Sequence, residues 1–336
     1  GIWQASNFLF SGTIQCSNAG ILTNLLVRAG TNFYPATAVD TGSQGTNFTL
    51  SVSIDTTLLS NGSNTVWVVV TNGSAPPTVV TNAYLLLVDN AAPVIASSLS
   101  PSVWLGSNFT FSGSLAKTNS GVGGNLLVIV GGATNVVAPT QTASNYEFSL
   151  SLSTNGLACG TNLLQVVASN GSSTPVSATS NFTFLFDNQA PGFSATVPIG
   201  WISGTNLLSG SVARTNSGLG GPVVVQVGTN IYRVYPSVTN AGSYLFSTNL
   251  NTANFSDGTT AVSITVSNGA GPAAVATSNV SLLVDNRAPE LATGFAQGAW
   301  QSSNLLFSGN LRSSNSGLPA ALRVSVGAFV TNVAVT

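Results

Sequence analysis

Along the whole chain, short runs in which every second residue is apolar are separated by clusters of Gly, Asn, Ser and Thr. The clearest run sets Tyr146, Phe148, Leu150 and Leu152 on one side and Glu147, Ser149, Ser151 and Ser153 on the other. A period of two belongs to a β-strand with one face on a core and one in solvent. The same alternation, with β-branched content and bounding turn residues, predicts seven strands in one stretch: 94–99, 109–116, 126–130, 135–138, 146–152, 162–169 and 177–186. No segment carries a helical period.

The pattern repeats. Asp-Asn-x-Ala-Pro occurs at 89–93, 187–191 and 285–289, each 98 residues after the last. Trp3, Trp104, Trp201 and Trp300 and the pairs Asn72-Gly73, Asn170-Gly171 and Asn268-Gly269 keep nearly the same register. The apolar triplet Leu164, Val166, Ala168 returns as Val66, Val68, Val70 and as Val262, Ile264, Val266, so one set of inward positions stays apolar. The Asn-Gly that follows each triplet fits a turn with positive φ. The expected organisation is repeat 1 over 1–90, lacking its first strand, repeat 2 over 91–188, repeat 3 over 189–286 and a partial repeat 4 over 287–336. Seven short antiparallel strands in about one hundred residues make each unit an immunoglobulin-like β-sandwich, and the fold class all-β.

Each repeat ends in Leu-Leu-Val-Asp-Asn (86–90, 282–286) or Phe-Leu-Phe-Asp-Asn (184–188), followed by x-Ala-Pro. This junction resembles that of tandem bacterial immunoglobulin-like or cadherin-like repeats, over the whole chain. The resemblance implies extracellular stalks, adhesins or filaments built by stringing units end to end. The paired cysteines and the core Trp placement of antibody domains are missing.

Composition narrows the function. Charged residues are 4% of the chain and the net charge is −1, against about 25% charged residues in ordinary soluble domains. That offers no electrostatic footprint for nucleic acid, and the apolar runs are too short for membrane insertion as helices. A neutral Ser/Thr/Asn surface does not repel its own copies, so the expected partners are other copies or flanking repeats, with a surface glycan as a further partner. With no His and one Lys, Lys117, the chain lacks the means for general acid–base chemistry. No enzyme activity, catalytic residue, cofactor or metal is expected.

At the junctions, Asp89, Asp187 and Asp285 bring one carboxylate each, with Glu290 added only at the last, too few for calcium. They read as turn caps ahead of the rigid Pro93, Pro191 and Pro289. Trp3, Trp104, Trp201 and Trp300 read as packing against the neighbouring unit rather than as a sugar platform. Asn72 and Asn170 lie in Asn-x-Ser triplets at turn tips and are the candidate glycosylation sites. Cys16 and Cys159 occupy non-equivalent repeat positions and are expected as thiols.

The expected function is a structural segment of an extracellular or cell-surface filament or stalk; the alternatives are an adhesin or carbohydrate-binding arm, or the spacer of a larger secreted protein. The loops at 118–124 and 215–221, both Thr-Asn-Ser-Gly-x-Gly-Gly, with 314–317 a close variant, stay alike between repeats, which favours the structural role. Because repeats 1 and 4 lack strands, the region before Trp3 and the edge after Thr336 are expected to be covered by another chain or by continuing polypeptide.

Overall fold

The computed structural model describes all residues except 17–19, 22–24, 43–45, 239–241, 295–297, 299, 301–303, 305, 319–320 and 336. The expectation at Thr336 lies outside them. The chain forms two compact units, one of residues 1–103 and 108–185, the other of 104–107 and 186–336. Among the described residues the regular structure is strand, with two single 3-10 turns at Thr56–Leu58 and Thr252–Asn254. The chain is all-β, built of tandem immunoglobulin-like sandwiches.

In the first unit, Asn7–Gln15 pairs antiparallel with Asn47–Asp55, and Leu25–Ala29 lies between Asn32–Asp40 and Gly62–Thr71. Asn32–Asp40 changes partner midway, pairing through Ala36 with Leu25 and from Thr37 with Ser51, which joins the two layers. The core between them holds Val27, Ala29, Leu50, Ile54, Val66 and Val88. The second sandwich places Phe109–Ala116 between Asn145–Leu152 and Ile95–Ser97 in one layer. Leu126–Val130 lies between Ala133–Val137 and Gly160–Ser169 in the other.

The second unit repeats this plan: Thr205–Ala213 between Phe193–Thr196 and Ser243–Asn251, facing Val223–Val227, Gly258–Ser267 and Val275–Val284. Leu208, Val212, Val223, Val225, Val262 and Ile264 are fully buried between the layers. Burial of each such side chain contributes about 1.5–3 kcal/mol. Beyond them, Glu290–Thr293 pairs with Gly309–Arg312 and Ala321–Val326 with Phe329–Ala334.

All seven strands expected between 94 and 186 agree with the structure to within two residues at each end, the first being the shorter Ile95–Ser97. Two short strands went unread, Trp104–Leu105 and Thr140–Gln141, because two residues cannot display a period.

Positive φ is found at a different place from the Asn-Gly pairs. Two-residue hairpins join Ala29 to Asn32, Val130 to Ala133, Val227 to Asn230 and Val326 to Phe329. Their first residues, Gly30, Gly131, Gly228 and Gly327, have φ of 55–59°, the left-handed region that only Gly enters freely. Gly171 and Gly269 are not positive-φ residues; their need is close approach. A Cβ on either would stand 2.3 Å from the carbonyl oxygen of Ser120 or of Ser217 respectively.

Candidate functional site at the repeat junctions

The aspartate that closes a repeat is buried, Asp89 and Asp187 completely and Asp285 nearly so. A buried carboxylate needs donors, and here they come from the next repeat's Thr-Asn-Ser-Gly loop. Asp89 Oδ2 accepts the backbone N–H of Ser120 at 2.7 Å and its hydroxyl at 2.5 Å. Asp187 Oδ2 accepts the same two groups of Ser217 at 2.8 and 2.7 Å, and Asp285 Oδ2 accepts the N–H of Ser316 at 2.7 Å. The other oxygen, Oδ1, accepts the N–H two residues on, from Ala91, Gln189 or Arg287, at 3.2–3.3 Å. That last contact stays within the junction itself, whereas the serine comes from the next repeat.

A second clamp holds the aspartate's backbone. Asn170 is fully buried, and its amide nitrogen donates to the carbonyls of Asp89 at 2.8 Å and Ala91 at 3.0 Å. Its Oδ1 accepts from Val176 N–H at 2.9 Å and Ser172 Oγ at 2.7 Å. Asn268 does the same for Asp187 and Gln189, at 2.9 and 3.0 Å. The Gly171 N–H then donates to Ser120 Oγ at 3.0 Å, and Gly269 N–H to Ser217 Oγ at 3.1 Å, which orients each hydroxyl towards its carboxylate. Both amide hydrogens of Asn170 are engaged inside the fold. Asn72 is half-buried, its Oδ1 accepting from Thr78 N–H at 2.7 Å.

The residue after the aspartate binds the opposite way. Asn90 donates to the Thr56 carbonyl at 2.7 Å and Asn286 to that of Thr252 at 2.8 Å, each within its own repeat. The aspartate N–H also points back: Asp89 to Gln4 O at 2.9 Å, Asp187 to Leu105 O at 2.9 Å and Asp285 to Ile202 O at 3.0 Å. At 89–90 and 285–286 the Asp-Asn pair therefore holds the last strand of one repeat and the loop of the next in one hydrogen-bonded knot.

Trp3, Trp104 and Trp201 start short strands. Trp3 and Trp201 pair in parallel with Leu87 and Leu283, near the ends of the last strands of their own repeats. The Trp3 carbonyl accepts Ser173 N–H at 2.9 Å, while Thr174 Oγ1 hydrogen-bonds the Ala5 carbonyl. In the second unit, the Trp104 carbonyl accepts Gly271 N–H at 3.0 Å and Gly106 N–H donates to Gly271 O at 3.1 Å. Trp3 and Trp104 are half-buried, Trp201 is 40% exposed and Trp300 is fully exposed. Pro93 and Pro191 are buried and Pro289 is exposed.

Electrostatically the junction favours the charged form. Burial pushes the Asp89 and Asp187 carboxyls up, but the hydrogen bonds from Ser120 and Ser217, with those of the neighbouring backbone, outweigh it and hold both below the ordinary value. The Ser316 hydroxyl, with Ser314, lowers Asp285 to about 2. The Ser120 and Ser217 hydroxyls are already donated to the Asp89 and Asp187 carboxylates. Among the described residues no three His, Cys, Asp or Glu side chains gather as a metal site, and no helix is long and apolar enough to cross a membrane. Cys16 and Cys159 are half-buried, and burial raises the Cys16 thiol pKa.

No family model matches this sequence, and no curated protein matches it. Among solved structures, the chain is similar to titin domains I67–I69, at 14% identity and TM-score 0.43 over 84% of this chain and 94% of that one. It is also similar to a Ca²⁺-stabilised adhesin with which an Antarctic bacterium binds ice, at 15% identity and TM-score 0.38 over 88% and 73%. A third likeness is to the D1–D4 fragment of ICAM-5, at 10% identity and TM-score 0.36 over 97% and 98%.

The sequence singles out the aspartates by their recurrence, whereas Ser120, Ser217, Ser316, Asn170 and Asn268 went unread as their partners. The available signal was spacing. Each serine follows its aspartate by 30 or 31 residues, in a loop that stays alike between repeats.

Proposed function

We propose that the chain is a non-enzymatic, load-bearing segment of an extracellular or cell-surface filament or stalk, whose partners are flanking repeats or other copies of itself. The observation that carries this reading is the knot at Asp89, repeated at Asp187 and, in its carboxylate contacts, at Asp285. Each leaves no free linker, because backbone and side chain of the same residue are bonded on both sides. In tandem arrays stability is local to each unit and its neighbour, so length is added without a new fold. The repeats carry the same loop where an adhesin would vary it, and a surface with 4% charged residues suits close lateral packing.

Force spectroscopy on the chain held at its two ends tests this. A spacer under load gives discrete unfolding events of equal size, each releasing at most about 350 Å of contour for a repeat of this length. Smooth extension at low force, or saturable turnover of a substrate lost on changing one residue, would sink the proposal.

A further inference from the structure

Four of the five tryptophans keep the repeat register; Trp67 does not. It lies in Gly62–Thr71 between the buried Val66 and Val68, so its ring stands on the outer face of the sheet, where it is 41% exposed. Across the sheet it is paired with Arg28 on Leu25–Ala29, and Arg28 in turn with Phe33 on Asn32–Asp40, which is 61% exposed. Neighbouring strands lie about 4.8 Å apart, so the two aromatic residues flank the arginine across about 10 Å. The exposed Leu26 and Leu85 extend the apolar surface beyond this row.

The next two repeats build nothing like it. By strand register the places of Phe33, Arg28 and Trp67 are taken by Thr134, Ile129 and Gln165 in the second repeat and by Ile231, Gln226 and Ser263 in the third. Beneath them Val27, Val128 and Val225 are fully buried alike, so the sandwich closes without an aromatic outer face. Arg28 is also set for a partner. Its Nε donates to Gly30 O at 2.9 Å, and its guanidinium carbon lies 5.9 Å from the centre of the Phe33 ring. Its two terminal nitrogens have no partner among the described residues, whose ion pairs are at Arg287 and Arg312. A planar fork of donors anchored at one end and open at the other matches a carboxylate with two parallel hydrogen bonds.

We infer that this face of the first repeat binds an acidic polysaccharide, a chain of uronate pyranose rings. The C–H faces of the sugar rings lie on Trp67 and Phe33, whose ring faces carry the negative side of the aromatic quadrupole, and a uronate carboxylate meets Arg28 between them. A neutral sugar would leave the arginine fork unused. A peptide is the poorer fit, because Leu25–Ala29 and Gly62–Thr71 are paired on both sides and offer no edge to an added strand. With 4% charged residues the chain has no broad field to gather polyanions, so the contact at Arg28 decides the charge of the partner. Composition alone leads one to expect a surface glycan; this face gives it a place and an acidity. The inference does not rest on the filament reading, since it concerns one sheet face of one repeat.

Calorimetric titration of the whole chain with oligogalacturonate, its methyl-esterified form and polyglutamate tests this. The acid should bind, and the neutral ester at least about tenfold more weakly. Arg28→Gln and Trp67→Gln should each weaken binding of the acid by a similar factor, and Arg28→Gln should no longer distinguish acid from ester. Both variants carry the residue that another repeat has at the same place, Gln226 and Gln165, so the fold is kept; Gln226 even donates to Gly228 O, at 3.1 Å, as Arg28 does to Gly30 O. No binding of the acid, equal binding of acid and ester by the parent chain, or binding that survives Trp67→Gln overturns the inference. Polyglutamate that binds as tightly as the uronate and is lost with the same variants would make the partner an acidic protein and overturn the occupant named here.

Discussion

Ser120 gives both its backbone N–H and its hydroxyl to one oxygen of Asp89, at 2.7 and 2.5 Å, across 31 residues of sequence. The hydroxyl is available for this because Gly171 N–H supplies its own hydrogen bond at 3.0 Å. Three residues thus decide the conformation of the chain where one repeat passes into the next. Asp187, Ser217 and Gly269 form the same arrangement in the second unit.

Removing the carboxylate strands buried donors. Asp89→Ala is expected to destabilise the first unit by about 2–3 kcal/mol and Ser120→Ala by about 1–2 kcal/mol, since each leaves unsatisfied partners. The double variant should cost less than the sum, because both changes break the same bonds. Urea unfolding with hydrogen exchange at Ser120 and Gly171 reads this directly; strict additivity would show that the pair is not coupled.

The junction carboxylates also set the acid limit. Their folded pKa values lie below the ordinary 3.8, Asp285 at about 2. A lowered carboxyl stabilises the fold above its unfolded pKa, and that contribution is lost as pH falls through the folded value. With no His in the chain, the melting temperature should be level from about pH 8 to 5 and fall between about pH 4 and 2. The variant carrying Asp89→Asn, Asp187→Asn and Asp285→Asn should start lower and lose most of that slope; an unchanged slope would point to other carboxyls.

Calcium should not matter. Both oxygens of Asp89 and Asp187 are already filled by N–H and O–H donors, whereas the ion asks for six to eight oxygen ligands. Adding EDTA, then excess calcium, should move the melting temperature by less than about a degree; a fall of several degrees restored by calcium would make the aspartates ligands.

The Asn-Gly step is expected to be intolerant for reasons of space and hydrogen bonding. Asn170→Ala leaves two carbonyls and two donors without a partner and should cost about 2–4 kcal/mol. Gly171→Ala forces the Ser120 carbonyl, 2.3 Å from the new carbon, to move, and should cost at least about 2 kcal/mol. Thermal melts of the two variants against the parent give both values; a neutral Gly171→Ala would mean the junction is loose.

Much of this protein is determined by the sequence alone. The period of two in 145–152, the inward triplets at Leu164, Val166 and Ala168, and the 98-residue recurrence of Asp-Asn-x-Ala-Pro specify strands, core and repeat, because burial of one sheet face depends only on which residues are apolar and how they alternate. Tertiary structure alone decided what the polar residues do. Asp89 meets Ser120 and Asn170, 31 and 81 residues away, and no local pattern records which distant donor a carboxylate will find. The two kinds of glycine were equally indistinct in one dimension. Gly131 serves a turn with positive φ, and Gly171 makes room for a carbonyl. A missing side chain reads the same in both cases, and only the backbone brought against it by the fold tells them apart.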